Sequence, residues 1–177
     1  MTDELLARVE KLEAEREILH TLYRYGHTID VGDADGWGEC FTEDGEFATN
    51  PRFEGYKPYR IVGRPALTEF VQHHTRPPGL WHKHLVIEPL IEIDGDEASV
   101  HSYFAVLAEN EGEPIVRVFG RYVDRMRRGA DGRWRFAERN AYLESLKPGL
   151  PPLAWGREAA DQALAEAAER SQASVGS

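Results

Sequence analysis

Two short stretches place ionisable groups where apolar ones would be expected. In "YRYGHTIDVGDADGWGECF" (23–41) the apolar period set by Ile18, Leu22, Tyr25 and Ile29 predicts one face of an amphipathic helix. Asp30 falls at the edge of that stripe, about 100° from its centre, beside Leu19, Tyr23 and Gly26. A carboxylate half-buried there is costly unless it is hydrogen-bonded or paired. The complementary group lies in "WHKHLVIE", where strand alternation puts His82, His84, Val86 and Glu88 on one face. If the helix covers that face, His84 meets Asp30. The carboxylate then orients the imidazole and holds its proton on one nitrogen, leaving the other free to act as a general base. Tyr25, on the helix stripe, or Arg139 is expected to stabilise the developing oxyanion or assist departure of the leaving group.

The same letters admit a metal reading, since two imidazoles and the Glu88 carboxylate would suit iron or manganese. The spacing from His82 to Gly95 matches the later part of a cupin motif, but Arg76 stands where that motif needs glycine, and no second motif follows. No metal and no cofactor are expected: phosphate loop, nucleophile elbow and CxxC are all missing from the sequence. His82 is expected to cover a sheet edge, and His74 to sit at an exposed helix end. Arg117, Arg121 and Arg125 share a strand face and are read as surface residues able to meet acidic partners. The candidate substrate contacts are Tyr23, Trp37, Phe47, His101, Phe119 and Arg139, an aromatic supply suited to a flat, ring-containing ligand.

These groups need a scaffold. The helical period runs over about the first thirty residues, with a heptad-like seam at Leu5, Val9 and Leu12, and stops at Gly32. Asp33 or Asp35 can cap a short helix reaching Phe41, and "GRPALTEF" opens a third with proline in its first turn. From Trp81 the period becomes that of strands. Four long segments separated by "DGDE", a glycine-containing turn and "GADG" predict an antiparallel meander. Helices followed by a long sheet make an α+β domain over residues 1–147, with 148–177 a proline-rich connector and a peripheral helix. With 177 residues and 41% hydrophobic content the chain suits one domain with a real core. The net charge of −10 argues against nucleic acid and anionic membrane as partners. One cysteine, Cys40, excludes an intrachain disulfide and points to a cytoplasmic setting; no apolar run suits a membrane span.

The order of these features resembles the SnoaL-like branch of the nuclear transport factor 2-like superfamily: a tyrosine-bearing helix ending in aspartate, then "CFTEDGEF", "GRPALTEF", a histidine strand and "IDGDEA". The resemblance implies a cone-shaped barrel of curved antiparallel sheet closed by the N-terminal helices around a deep apolar pocket. It also implies an aspartate–histidine pair at Asp30 and His84, with Tyr25 five positions before the aspartate. The implied activity is a cofactor-free lyase or isomerase, dehydratase-like, acting on a hydrophobic ring-containing molecule such as a polyketide or steroid. A polyketide cyclase, an epoxide hydrolase-like enzyme or a non-catalytic binding module on the same scaffold are the alternatives. Family sheets usually bury their outer face against another copy, which implies a homodimer, with a trimer as the alternative.

Overall fold

The apolar period of the first helix takes hold only at its middle. In the computed structural model, which describes residues 2–52 and 58–150, helix α1 spans Thr2–Val31. Its fully buried positions begin at Ile18 and continue through Leu22, Tyr25 and Ile29. Leu5, Val9 and Leu12 are 60%, 41% and 64% exposed, so the heptad-like seam projects past the core. Gly32 stops the helix at φ 75°, a backbone conformation that glycine adopts without a Cβ penalty. Asp33 caps helix α2 (Ala34–Gly38), its Oδ1 accepting the Gly36 N–H at 2.9 Å. That helix is shorter than expected, because Phe41 already begins strand β1 (Phe41–Pro51).

Strand β2 (Arg60–Val62), which the sequence did not reveal, forms an antiparallel pair with β1. Helix α3 (Arg64–Gln72) starts with Pro65 and buries Leu67 and Val71. The meander follows as expected: β3 (His82–Asp94), β4 (Glu97–Asn110), β5 (Glu113–Arg128) and β6 (Trp134–Leu146), each antiparallel to the next. The complete order is β2-β1-β6-β5-β4-β3, with β1 running parallel to β6. The result is a curved α+β fold of the cone type. The expected closure into a barrel does not form, because the sheet stays open between β2 and β3. Helix α1 covers the inner face instead, packing against β3, β6 and α2.

Two local devices aim side chains. At Gly26 a Cβ would lie 2.7 Å from the His84 carbonyl oxygen, so glycine lets α1 touch β3 beside the histidines, one turn before Asp30. On β5, Val118 pairs with Val106 but Val116 pairs with Leu107, leaving Arg117 as the extra residue of a β-bulge. The expected connector and peripheral helix lie, from residue 151 onward, outside the described residues. Among the described residues no helix is long and apolar enough to cross a membrane.

Candidate active site

Asp30, 4% exposed, is held between the end of α1 and the start of β3. Its carboxylate accepts the backbone N–H of His84 at 3.1 and 3.2 Å, and its Oδ1 accepts a hydrogen bond from His84 Nδ1 at 2.7 Å. Because an ionised carboxylate only accepts, the proton of the neutral imidazole resides on Nδ1, and Nε2 keeps its lone pair. The backbone bond also fixes the strand to the helix, so the ring and its partner are set by one contact.

Two more histidines crowd the same corner. The ring centroids of His74, His82 and His84 lie 5.2 to 5.6 Å apart. Both expectations for the first two are overturned: His74 is 6% exposed and His82 2%. His74 turns inward behind α3, where Nδ1 donates to the Thr75 carbonyl at 2.9 Å. Burial, then repulsion from His84 and His82, holds it well below the ordinary histidine range. Burial first, and His84 second, lowers His82 to about 4, against the opposing pull of Asp30. Its Nε2 stands 3.6 Å from Asp30 Oδ1.

Because His82 stays neutral in the fold, the unfolded chain binds more protons between about pH 6.5 and 4. This histidine therefore contributes stability that is full above about pH 6.5 and lost as pH falls toward 4. Urea titrations of wild type and His82→Leu across that window should diverge, wild type losing on the order of 3 kcal/mol more. Parallel curves would refute the assignment.

Asp30, His82 and His84 could hold a metal, since one ligand atom from each lies within 4.8 Å of the others. The spacing of Asp30 and His84, however, is that of a hydrogen bond. Ligands about 2.0–2.2 Å from a shared ion sit more than about 3 Å apart, so binding would require the 2.7 Å contact to open. Glu88 leaves the group altogether: a bulge between Ile87 and Leu90 sets it at φ 50° and turns it outward.

His84 lines a cavity of about 310 Å³. Its walls come in cross-sheet rows. One row is His84, Val106, Val118 and Leu146, in register across β3 to β6, and deeper ones contain Phe104 with Leu143, then Tyr122 with Ala141 and Thr49. Tyr25 and Ile29 close it from α1, and Phe70 with His74 from the end of α3. Burial raises both the Tyr25 and Tyr122 phenols above their ordinary range, and a hydrogen bond links the two side chains, so one hydroxyl proton is held between them and the other stays free to donate into the cavity.

Of the sequence-derived candidates, the structure brings Asp30, His84, Tyr25 and Phe47 to this cavity or its wall. Trp37 is fully buried behind it, in ring contact with Tyr25, Phe41 and Phe47. Arg139 is also fully buried and lies beneath the floor, its guanidinium 4.0 Å from the Tyr25 ring centre and 3.6 Å from that of Tyr122. Tyr23, His101 and Phe119 are corrections: Tyr23 and Phe119 are 50% and 46% exposed, and His101 lies on the outer sheet face. Strand parity decides this, since Phe104 and Tyr122 occupy the inner positions that the same strands offer. Arg121 and Arg125 face outward but pair within the chain, with Glu144 and with Glu138 and Glu97, while the bulge sends Arg117 inward. Sequence reasoning missed Tyr59, Phe70, His74, Arg117 and Tyr122 as cavity residues. For Tyr122 a signal existed: Val118, Gly120, Tyr122 and Met126 form the less charged parity of their strand.

No curated protein sequence matches the chain. Among solved structures, an aspartate-to-asparagine variant of Rv3472, a protein of unknown function from Mycobacterium tuberculosis, shares 33% identity. It superposes with a TM-score of 0.63 over 87% of this chain and 93% of its own. An NTF2-like protein with a cystatin-like fold from Novosphingobium aromaticivorans gives a TM-score of 0.67 at 24% identity, over 93% and 97% of the two chains. A candidate scytalone dehydratase from the same organism gives 0.63 at 20% identity, over 87% and 95%. These last two likenesses show a shared fold. The SnoaL-like domain matches residues 10–140, from the first third of α1 into β6, and the chain belongs to that family.

Proposed function

We propose that the protein is a cofactor-free lyase or isomerase of the dehydratase type, acting on a hydrophobic, ring-containing small molecule. The Asp30–His84 hydrogen bond of 2.7 Å at the wall of an apolar cavity carries this reading. His84 Nε2 removes a proton from a carbon next to a carbonyl, and Asp30 stabilises the imidazolium that forms. The electrons of the broken C–H bond move onto the carbonyl oxygen, where the hydrogen-bonded Tyr25–Tyr122 pair, kept protonated by burial, donates a hydrogen bond. In a lyase the electrons return to expel hydroxide from the adjacent carbon, protonated by His84 as it leaves as water. In an isomerase the proton is delivered to a different carbon.

The test begins with mass spectrometry of small molecules retained by the purified protein. Wild type should convert the released compound, or the hydroxylated or unrearranged form from which it derives. The Asp30→Asn, His84→Gln double variant should bind it without converting it. No turnover by wild type, together with unchanged affinity in the double variant, would replace the enzyme with a binding module.

We also propose that the outer sheet face meets a second copy of the chain. Leu85, Ile87, Tyr103, Phe119 and Tyr142 lie close together on β3 to β6 by their register, and each is more than a third exposed. An apolar patch of this kind, crossed by Arg121 between Tyr103 and Tyr142 and placed on one face, can meet its own copy about a two-fold axis. Light scattering should return twice the 20.1 kDa of one chain. A single 20.1 kDa species at micromolar concentration would reject the dimer, and a threefold mass would favour the trimer.

A further inference from the structure

The heptad-like seam of α1 faces away from the sheet. At roughly 100° per residue, Leu5, Val9, Leu12 and Arg16 line one stripe, about 140° around the helix from the stripe of Ile18, Leu22, Tyr25 and Ile29 that is buried in the core. Extending the sheet beneath the helix would therefore not cover it. Every described side chain from Asp3 to Glu13 is exposed, so about 16 Å of helix stands clear of the body. A helical end of that length is marginal in water without a packing partner. It nevertheless carries Leu5, Leu6, Val9 and Leu12, each more than 40% exposed. Among the described residues the first ion pair along α1 is that of Arg24, so Arg8, Glu15 and Arg16 are not committed within the chain.

The spacing of those charges identifies the partner. When a second α1 is laid antiparallel on the seam so that Val9 meets Leu12 of the copy, Leu12 meets Val9 in return. In that register Arg8 of each helix falls opposite Glu15 of the other, on the flank of the apolar contact. Arg16 lies beside Leu5 of the copy, next to the acidic Asp3 and Glu4 of its first turn. A parallel pair would instead press Arg16 against its own counterpart at a core position. The antiparallel stripe thus complements itself in both shape and charge about a two-fold axis, so a second copy satisfies it without a different kind of chain.

We propose that the projecting half of α1 is an interaction surface for a second copy of this chain, the two helices pairing antiparallel through Leu5, Val9 and Leu12 with Arg8–Glu15 ion pairs alongside. Because α1 packs on the inner face of the sheet, this contact is separate from the outer-face dimer and rests on neither it nor the catalytic reading. A seam of two heptads is short, so the helices pair at protein concentrations above the micromolar range.

The test is disulfide trapping in the full chain, with Val9→Cys and Leu12→Cys prepared separately, mixed at high concentration and mildly oxidised. Both positions are exposed, so the fold is preserved, and the native Cys40 is buried and does not compete. Mass spectrometry should find the mixed Val9→Cys/Leu12→Cys dimer in excess over cross-linked dimers of either variant with itself. Introducing Arg8→Glu into both chains should lower the yield of the mixed dimer by about 3- to 30-fold, since two attractive pairs become repulsive. Adding Glu15→Arg, which reverses the pairs, should restore it. Absence of the mixed dimer would overturn the proposal, whether the seam is then covered by another part of the chain or by nothing. An excess of like-with-like dimers, the mark of parallel helices, would overturn it too, as would a yield that Arg8→Glu leaves unchanged or that Glu15→Arg fails to restore.

Discussion

His84→Ala should lower the rate constant for turnover by about 10²- to 10⁴-fold, the contribution of a positioned proton transfer. On the proposed mechanism this is the most damaging single change at the site. Neither neighbour is placed like it: the His82 ring lies beside Asp30 and does not line the cavity, and His74 has Nδ1 committed to the Thr75 carbonyl. Asp30→Asn should approach the same loss. An amide in place of the carboxylate can no longer enforce the Nδ1–H tautomer, and it also weakens the bond that ties the His84 backbone to α1. Tyr25→Phe removes one of two phenols and should cost about 10²- to 10³-fold. Chelators should leave the rate unchanged, because the Asp30–His84 contact is used as a hydrogen bond. The ranking is measured by steady-state kinetics on the compound identified above. A His84→Ala enzyme within tenfold of wild type would remove the base from the mechanism. Complete loss in EDTA with recovery on adding iron or manganese would assign Asp30, His82 and His84 to a metal instead.

The largest effect on stability should come from Arg139→Ala, with a loss of about 3–5 kcal/mol in urea unfolding. The guanidinium lies within 3.6 to 4.4 Å of the ring centres of Tyr25, Tyr122 and Phe136, and Nε is 3.7 Å from Asp124 Oδ1. Truncation removes those contacts and leaves Asp124 buried without its counter-charge. Its partner should behave differently. Burial raises Asp124 to about 7 despite the opposing pull of Arg139, so desolvation outweighs the attraction of the pair. The folded state therefore binds more protons than the unfolded chain between about pH 4 and 7. The stability this group confers is full below the unfolded carboxylate value and is lost as pH rises through about 7. Asp124→Asn should be close to neutral under mildly acidic conditions, and should gain about 1 kcal/mol relative to wild type between about pH 6.5 and 8.5. His74 and His82 add an opposing rise of about a few tenths of a kcal/mol each at the lower end of that window, and because wild type and Asp124→Asn share it, the difference between their curves isolates Asp124. A cost under 1 kcal/mol for Arg139→Ala, or the same pH slope in Asp124→Asn, would count against this account of the floor.

Periodicity in the chain was enough to determine the helix that carries Tyr25, Ile29 and Asp30 together, because a 3.6-residue repeat admits one buried stripe. It also determined the four-strand meander, since glycine-containing turns punctuate alternating runs and leave little other way to pair them. The meeting of Asp30 with His84 followed from those two once the helix was laid on the sheet. What the chain alone left open was which face of each strand looks inward. That choice is a single bit per strand, and one inserted residue reverses it. Tyr23, His101 and Phe119 were placed at the cavity on the wrong value of that bit or its helical equivalent. Arg117 was placed outside it because a bulge has no period to read, and Glu88 was grouped with the histidines for the same reason. His74 and Arg139 depended on tertiary packing in another way: a histidine after a helix end and an arginine on a strand have surface propensities. Only the docking of α3 on the cavity, and the three rings gathered around the Arg139 guanidinium, provide an interior in which those polar groups are tolerated.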